Sequence, residues 1–322
     1  MSEEVGTLLL VIDLHMHSNF SDGSDDPEIL AASAKKIGLS AIALTDHDTT
    51  DSHSRMAEAC AREGIELIAG VEVSLTDVMA TKTRDDGSLE QGVSVHVLAY
   101  FVPVDPDHPF QQLLVKLRND RRHRNIKLVE LLHSHGFTRL DYNEILQRAK
   151  SEYSVGRPHF AQAMFDFHPE IVGPQNPENW QRVFNEWLGH GGKAYLKKTE
   201  LTIEDFVAAA QGSGVVFSIA HPTLNYFGHS ISDAEISTKF PPILNSLRER
   251  GVRGVECYYG SWPESRRNLL VGLARNAGMI PTGGSDYHGS LKANVRMGVG
   301  LVGDLHVPDS ILDELRAARA EV

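Results

Sequence analysis

Short apolar runs alternate with amphipathic stretches along the first hundred positions. Residues 7–14, 40–44 and 65–73 read as strands, and residues 27–37 and 51–63 read as helices between them. Such alternation predicts parallel strands with helices packed outside. Residues 76–92 are polar, with an Asp86-Gly87 turn signal, and read as a surface loop or hairpin ahead of a fourth run at 93–100. After Phe101 the rhythm stops. Pro103, Pro106 and Pro109 punctuate the chain, and a long helical stretch then runs to about His135, closed by Gly136. Further helical segments lie at 141–150, 157–166 and 177–188, before glycines at 189, 191 and 192 interrupt. Alternation resumes near Thr202, with helices at 203–211, 242–250 and 263–277, strands at 215–220, 252–258 and 279–284, and a closing helix from Pro308. About seven βα units favour an α/β fold with a closed or nearly closed barrel over an open sheet. The expected organisation is a barrel formed by residues 1–104 and 201–322, with 105–200 as a mostly helical insertion covering its mouth.

Composition narrows the class. The chain has 322 residues and a hydrophobic share of 41%, that of an ordinary globular protein. Its longest apolar run, 8–12, is far below the ~20 residues a membrane span needs. The start, Met-Ser-Glu-Glu, has neither a basic n-region nor a long apolar segment, so a cytoplasmic location is expected, with no membrane partner. Cys60 and Cys257 sit in dissimilar contexts and read as core residues, not as a disulfide or a zinc pair. A formal net charge of −12 argues against duplex DNA as a partner and suits a small anion met by a local basic patch.

The candidate chemistry lies at the strand ends. His15 and His17 flank one residue of the first strand and so point the same way, while Asp22 can return to them from the following loop. Thr45-Asp46-His47-Asp48 follows the second run, and Gly70-Val71-Glu72 closes the third. His96 lies in the fourth, His221-Pro222 follows residue 220, and Ser285-Asp286-Tyr287-His288 follows Gly284. Six separate runs deliver His, Asp or Glu at or near their C-terminal ends, where a barrel gathers its site. This recurrence points to a metal centre. Glu256 and Trp262 fall near the same mouth and read as packing behind it.

Inside the insertion, apolar residues recur helically at Leu113, Leu114 and Leu117, then at Leu128, Leu131 and Leu132. Carried across the gap, that stripe lands on Arg121, Arg124 and Asn125. Two readings stand: a solvated basic helix whose stripe drifts, or a phosphate clamp built from guanidinium forks. Arg157 and His159 would extend the clamp.

In order, His15-Met-His17, Ser21-Asp22-Gly23, Thr45-Asp46-His47-Asp48, Gly70-Val71-Glu72, His96, Ala220-His221-Pro222 and Gly284-Ser285-Asp286-Tyr287-His288 resemble the motifs of the polymerase and histidinol phosphatase (PHP) family. The stretches Arg121-Arg122-His123-Arg124-Asn125 and Gly156-Arg157-Pro158-His159 further resemble a branch of small phosphoesterases. That branch hydrolyses nucleoside 3′,5′-bisphosphates and trims short RNA from the 5′ end. The resemblance implies a distorted (β/α)7 barrel and a site for two to three divalent ions. It places His15, His17, Glu72 and Asp286 on a first metal, Asp22, His47 and His288 on a second, and His96 and His221 on a third, with Glu72 bridging. It also implies that Asp48, Arg121, Arg122, Arg124, Asn125, Arg157 and His159 contact substrate, with Asp48 and His159 as candidates to protonate the leaving oxygen or to position it. The long polar segment before His96 departs from the family pattern.

A donor set of His, Asp and Glu without thiolate suits Mn²⁺, Fe²⁺ or Zn²⁺. Clustered cations assist phosphate ester cleavage by acidifying bound water and neutralising phosphoryl oxygens. The expected substrate is a nucleoside 3′,5′-bisphosphate, cleaved to an AMP-like product, with short 5′-phosphorylated RNA as a related one. The alternatives are a histidinol phosphatase or other small-molecule phosphatase, a trinuclear amidohydrolase, and a catalytically idle metal-binding module supporting a polymerase.

Overall fold

A computed structural model describes residues 11–83, 89–149, 155–189, 191–196, 201–228 and 230–322. The chain divides into two compact units, one formed by Met1–Leu113 and Leu201–Val322, the other by Leu114–Glu200.

The first unit is built on seven strands: β1 (Val11–Met16), β2 (Leu39–Leu44), β3 (Glu66–Thr83), β4 (Leu89–Tyr100), β5 (Val216–Ile219), β6 (Val252–Tyr259) and β7 (Ile280–Gly284). Between β1 and β3 lie α1 (Pro27–Ile37) and α2 (His53–Glu63). The strands pair in chain order from β1 to β7. The ends of the sheet approach one another, because His17 N–H donates to the Tyr287 carbonyl at 2.9 Å and Asp286 N–H to the His15 carbonyl at 2.8 Å. The result is the nearly closed barrel that the βα rhythm predicts.

One sequence expectation about the sheet needs correction. The strands are not all parallel, because β4 runs antiparallel to both β3 and β5. The polar segment, read as a surface loop or hairpin, takes the hairpin form: its described residues lengthen β3 and β4 into a paired ribbon, with Thr81 opposite Gln91. A ribbon with solvent on its faces has no apolar run to announce its full length. The Asp86-Gly87 turn and residues 7–10 of the first run lie outside the described residues.

α1 shows how a short sequence sets an element. Pro27 fills its first turn, Leu30, Ala31 and Ala34 form the buried face, and Gly38 ends it at φ 90° with its N–H on the carbonyls of Ala34 and Lys35. Against that face pack Met16, Leu39, Ile42 and Leu44 of the strands and Met56 and Cys60 of α2. Ile12 and Leu14 join Ile68, Leu98, Tyr100 and Val216 in a second cluster, closed by Ile311, Leu312 and Leu315 of the last helix, Ser310–Arg319. Each fully buried aliphatic side chain in these clusters contributes roughly 1.5–3 kcal/mol. Cys60 and Cys257 are both buried and unpaired, as their contexts predict.

Further helices complete this unit: Ile203–Ala209, Pro222–Phe227, Asp233–Glu249 and Glu264–Asn276. The sequence places the third of these from Pro242, but it begins nine residues earlier. Ser232 caps it, accepting from Glu235 N–H, and Pro241 and Pro242 fall in its interior. The second unit takes in most of a long helix, Pro109–Ser134, followed by Tyr142–Arg148, Arg157–Phe167, Pro169–Val172, Pro177–Val183 and a π-helical turn at Phe184–Leu188. Its core gathers Leu128, Leu132, Phe137, Phe160, Met164 and Val183. Among the described residues no helix is long and apolar enough to cross a membrane.

Candidate metal centre

Each barrel element delivers its polar side chain to one place. His15 lies in β1 and His17 one residue past its end; His47 follows β2, and Glu72 sits in β3. Because β4 runs backwards, its mouth end precedes the stretch Val97–Tyr100 that pairs with β5, and His96 lies there, not at the strand's C-terminal end. His221 follows β5, with Ala220 N–H donating to the His96 carbonyl at 2.9 Å, and Asp286 and His288 follow β7.

Glu72 is the hub, fully enclosed at 1% exposure. Its Oε2 lies 3.2 Å from His15 Nε2, 3.2 Å from His17 Nε2 and 3.4 Å from His47 Nε2. Its Oε1 lies 3.0 Å from His96 Nδ1 and 2.9 Å from His221 Nε2. Asp286 Oδ1 stands 3.5 Å from the Nε2 atoms of both His15 and His17, which are 3.1 Å apart. Asp22 joins through Oδ2 to His47 at 3.5 Å and through Oδ1 to His288 at 3.4 Å and to His17 Nδ1 at 3.5 Å.

These spacings fit a metal site. Donors bonded at about 2.1 Å to one ion and separated by tetrahedral or octahedral angles lie about 3.0–3.4 Å apart. Hydrogen bonding accounts for only part of the arrangement: His15 and His221 bond Glu72, but the buried Nδ1 atoms of His17, facing Asp22, and of His96, facing Glu72, have no hydrogen bond. Three overlapping donor groups emerge: His17, Asp22, His47 and His288; His15, His17 and Asp286; His47, Glu72 and His96. His17 and His47 each belong to two of them, a sharing the sequence does not reveal.

The electrostatics agree. Burial alone would raise the Glu72 and Asp286 carboxyls, yet the surrounding imidazoles hold both well below the usual carboxylate range. Burial likewise opposes charge on His15, but the Glu256 and Glu72 carboxylates raise its pKa well above the ordinary value. Without metal, protons supply the positive charge these carboxylates demand. A divalent ion would replace them.

The loops are held by carboxylates that carry no obvious sequence signal. Asp46 accepts from Ser18 N–H at 2.8 Å and from the hydroxyls of Ser18, Ser21 and Ser52 at 2.6–2.7 Å, fixing the turn that leads to Asp22. Asp13 accepts from Ser285 N–H at 2.9 Å, its hydroxyl at 2.6 Å and Gly298 N–H at 2.8 Å, tying β1 to the loop after β7. Ser24 N–H donates to the His288 carbonyl at 3.0 Å, so the Asp22 and His288 loops are joined by backbone. Non-glycine residues in left-handed backbone include Asp48 (φ 55°), His221 (φ 25°) and Asp286 (φ 57°), and such strain concentrates at functional sites.

Asp48 is 1% exposed. Its N–H donates to the Glu72 carbonyl at 2.9 Å, and its Oδ1 accepts from Ser74 N–H at 2.8 Å. It thus brackets Glu72 along β3. Trp262 is buried against Tyr259, with ring centroids 4.8 Å apart. Glu256 does more than pack, since its two oxygens bond His15 and the His221 backbone.

The remaining predicted residues lie in the second unit. Arg121 and Arg124 are half-buried on the stripe of Leu117 and Leu128, whereas Arg122 and Arg157 are exposed. Asn125 is buried and donates to the Val155 carbonyl at 3.0 Å, which brings the arginine-bearing turn beside Gly156–His159. His159 Nδ1 accepts from Gly156 N–H at 3.2 Å and caps its own helix.

A family model described as the PHP domain matches residues 13–190. The chain is 26% identical over 278 residues to a 3′,5′-nucleoside bisphosphate phosphatase of Chromobacterium violaceum, covering 86% of this chain and 87% of that one. It is 25% identical to a phosphoribosyl 1,2-cyclic phosphate 1,2-diphosphodiesterase of Eggerthella lenta, over 87% and 95% of the two chains. A 5′-3′ exoribonuclease of Escherichia coli is 25% identical, over 87% and 85%. Among solved structures, a protein of Bifidobacterium adolescentis assigned as a metal-dependent phosphoesterase superposes with a TM-score of 0.68 at 25% identity, covering 96% of each chain.

Proposed function

The chain belongs to the PHP domain family, and on that footing we propose that it is a metal-dependent phosphoesterase acting on small phosphorylated nucleotides. The observation that carries this reading is the set of five imidazole nitrogens within 2.9–3.4 Å of one buried carboxylate, Glu72. The preferred substrate is a nucleoside 3′,5′-bisphosphate, which loses its 3′-phosphate to leave the 5′-monophosphate; short 5′-phosphorylated RNA is the related substrate. Relatives named for a nucleoside bisphosphate phosphatase and a 5′-3′ exoribonuclease support that choice.

In this reading His15, His17, Glu72 and Asp286 would hold one divalent ion, Asp22, His47 and His288 a second, and His96 and His221, with Glu72, a third. Mn²⁺, Fe²⁺ and Zn²⁺ all suit these donors. Bound ions acidify a coordinated water and neutralise charge on the phosphoryl oxygens. Water attacks phosphorus in line, the bond from phosphorus to the 3′ oxygen breaks, and that oxygen leaves with a proton. Arg121, Arg122, Arg124 and Arg157 take the second, non-reacting phosphate, so that remote binding energy orients the scissile ester. Asn125 anchors their turn. Asp48 and His159 either deliver the proton or position the groups around it, and the bonds Asp48 makes to both sides of Glu72 favour positioning.

The test is phosphate release by the purified protein with Mn²⁺. Adenosine 3′,5′-bisphosphate, short 5′-phosphorylated RNA and histidinol phosphate are compared, with a chelator control. Preferential, chelator-sensitive turnover of the bisphosphate is expected. A preference for histidinol phosphate moves the substrate to an amino alcohol ester, and metal uptake with no ester cleaved overturns the enzyme reading.

A further inference from the structure

Asp286 is engaged on both sides. Its Oδ1 faces the centre, 3.5 Å from the Nε2 atoms of His15 and His17 and 3.4 Å from His288 Nδ1. Its Oδ2 faces outward and accepts from Lys292 Nζ at 2.6 Å and from Tyr259 Oη at 2.8 Å. The two donors are not equivalent. Tyr259 is buried and brings a hydroxyl donor without charge. That bond alone suffices to orient the carboxylate. Lys292 is 39% exposed and brings a full positive charge to a group that must receive cations.

As an orienting device that charge is counterproductive, because it opposes ion binding at the adjacent oxygen. In the metal-free chain the ammonium offsets the charge of the buried Asp286 carboxylate. Once an ion takes over that role, the lysine charge is available to an anion arriving beside it. An ammonium carries three N–H donors, and Asp286 takes one. The backbone that presents it is fixed. Ser290 N–H donates to Ser24 Oγ at 2.8 Å and Val295 N–H to the Lys292 carbonyl at 2.8 Å. Gly289 turns at φ +65°, where a Cβ would come 1.8 Å from Ser24 Oγ. Lys292 thus stands, pre-positioned, one carboxyl group away from the ion donors.

We propose that Lys292 is a substrate-contacting residue that binds a non-bridging oxygen of the phosphoryl group held at the Glu72–Asp286 centre. This rests on the phosphoesterase reading above and deepens it by assigning the reacting phosphate a protein cation of its own, separate from the arginines given to the second phosphate.

The test uses the full chain loaded with Mn²⁺. Inorganic phosphate is titrated calorimetrically into wild type, Lys292→Met, Lys292→Arg and Tyr259→Phe, with bound metal measured in each. Lys292→Met is expected to keep its metal and weaken phosphate binding by about tenfold or more, as loss of a charge-assisted bond implies. Lys292→Arg should recover part of the affinity, and Tyr259→Phe, which loosens Asp286, should cost bound metal without weakening phosphate binding to the metal-loaded chain as Lys292→Met does. Equal phosphate affinity in Lys292→Met, loss of its metal in parallel, or a metal-loaded wild type that binds no phosphate overturns the proposal. If phosphate binds but no ester is cleaved, the enzyme reading fails while the isotherms still decide the role of Lys292.

Discussion

Glu256 Oε1 lies 2.7 Å from His15 Nδ1, a carboxylate accepting from an imidazole N–H, and both residues are fully buried. The bond leaves the His15 Nε2 lone pair pointing at Glu72 and Asp286, the tautomer a metal ligand needs. The other oxygen, Oε2, accepts from His221 N–H at 2.6 Å and holds that residue in its strained backbone. One carboxylate on β6 therefore governs two candidate ligands from different strands.

Replacing Glu256 by Gln keeps the shape but not the chemistry. With the amide oxygen on His221 N–H, the NH₂ group faces His15 Nδ1 and drives the ring proton onto Nε2. Metal affinity should fall by about 10–100-fold. A metal titration of Glu256→Gln showing wild-type affinity would remove this role.

Asp48 is tested by two substitutions. Asn tolerates left-handed backbone and keeps an acceptor for Ser74 N–H, whereas Ala does neither well. Asp48→Asn should therefore fold, bind metal and retain most turnover. Asp48→Ala should lose about 1–3 kcal/mol of stability and weaken metal binding, since Glu72 is no longer bracketed. Stable Asp48→Asn with turnover abolished would instead make the carboxylate a proton donor.

The arginines should discriminate between substrates. Arg121→Ala or Arg124→Ala should cost about 1.5–3 kcal/mol in kcat/KM on a nucleoside bisphosphate and much less on a simple aryl phosphate. Equal losses on both would remove the clamp.

Protons should compete with metal. Burial disfavours the charged His17 ring, but its bonds to Asp286 and Glu72 outweigh that and raise its pKa to about 9 in the metal-free chain. A ligating imidazole is neutral, so ion binding below that pH releases the proton. Affinity should rise with pH by about tenfold per unit for each proton released, with the His17 contribution ending above its value. Calorimetry at pH 7 in buffers of differing ionisation enthalpy should give buffer-dependent heats. Identical heats would contradict the protonated cluster.

What the sequence reveals here follows from what is local. His15 and His17 share a face because strands alternate, Glu72 follows the part of β3 that pairs with β2, and His221 and Asp286 follow strand ends, where barrels gather ligands. The reversal of β4 is not local. Nothing near His96 says which way its strand runs, and the ribbon joining it to β3 shows no apolar run. The roles of Asp13, Glu256 and Lys292 are equally silent, because they exist only once β1 meets β7 and β6, and that of Asp46 exists only once the loops after β1 and β2 meet. The capping pair Ser232 and Glu235 was there to be read, but Pro241 and Pro242 mask it by suggesting a later helix start.

The most direct measurement is anomalous diffraction from crystals of the full chain grown with Mn²⁺. Two or three peaks should flank the Glu72 carboxylate, within bonding distance of His15, His17 and Asp286 on one side and of Asp22, His47 and His288 on another. No peak within bonding distance of Glu72 at saturating Mn²⁺, or ions bound only elsewhere, would contradict a phosphoesterase centre built on that residue.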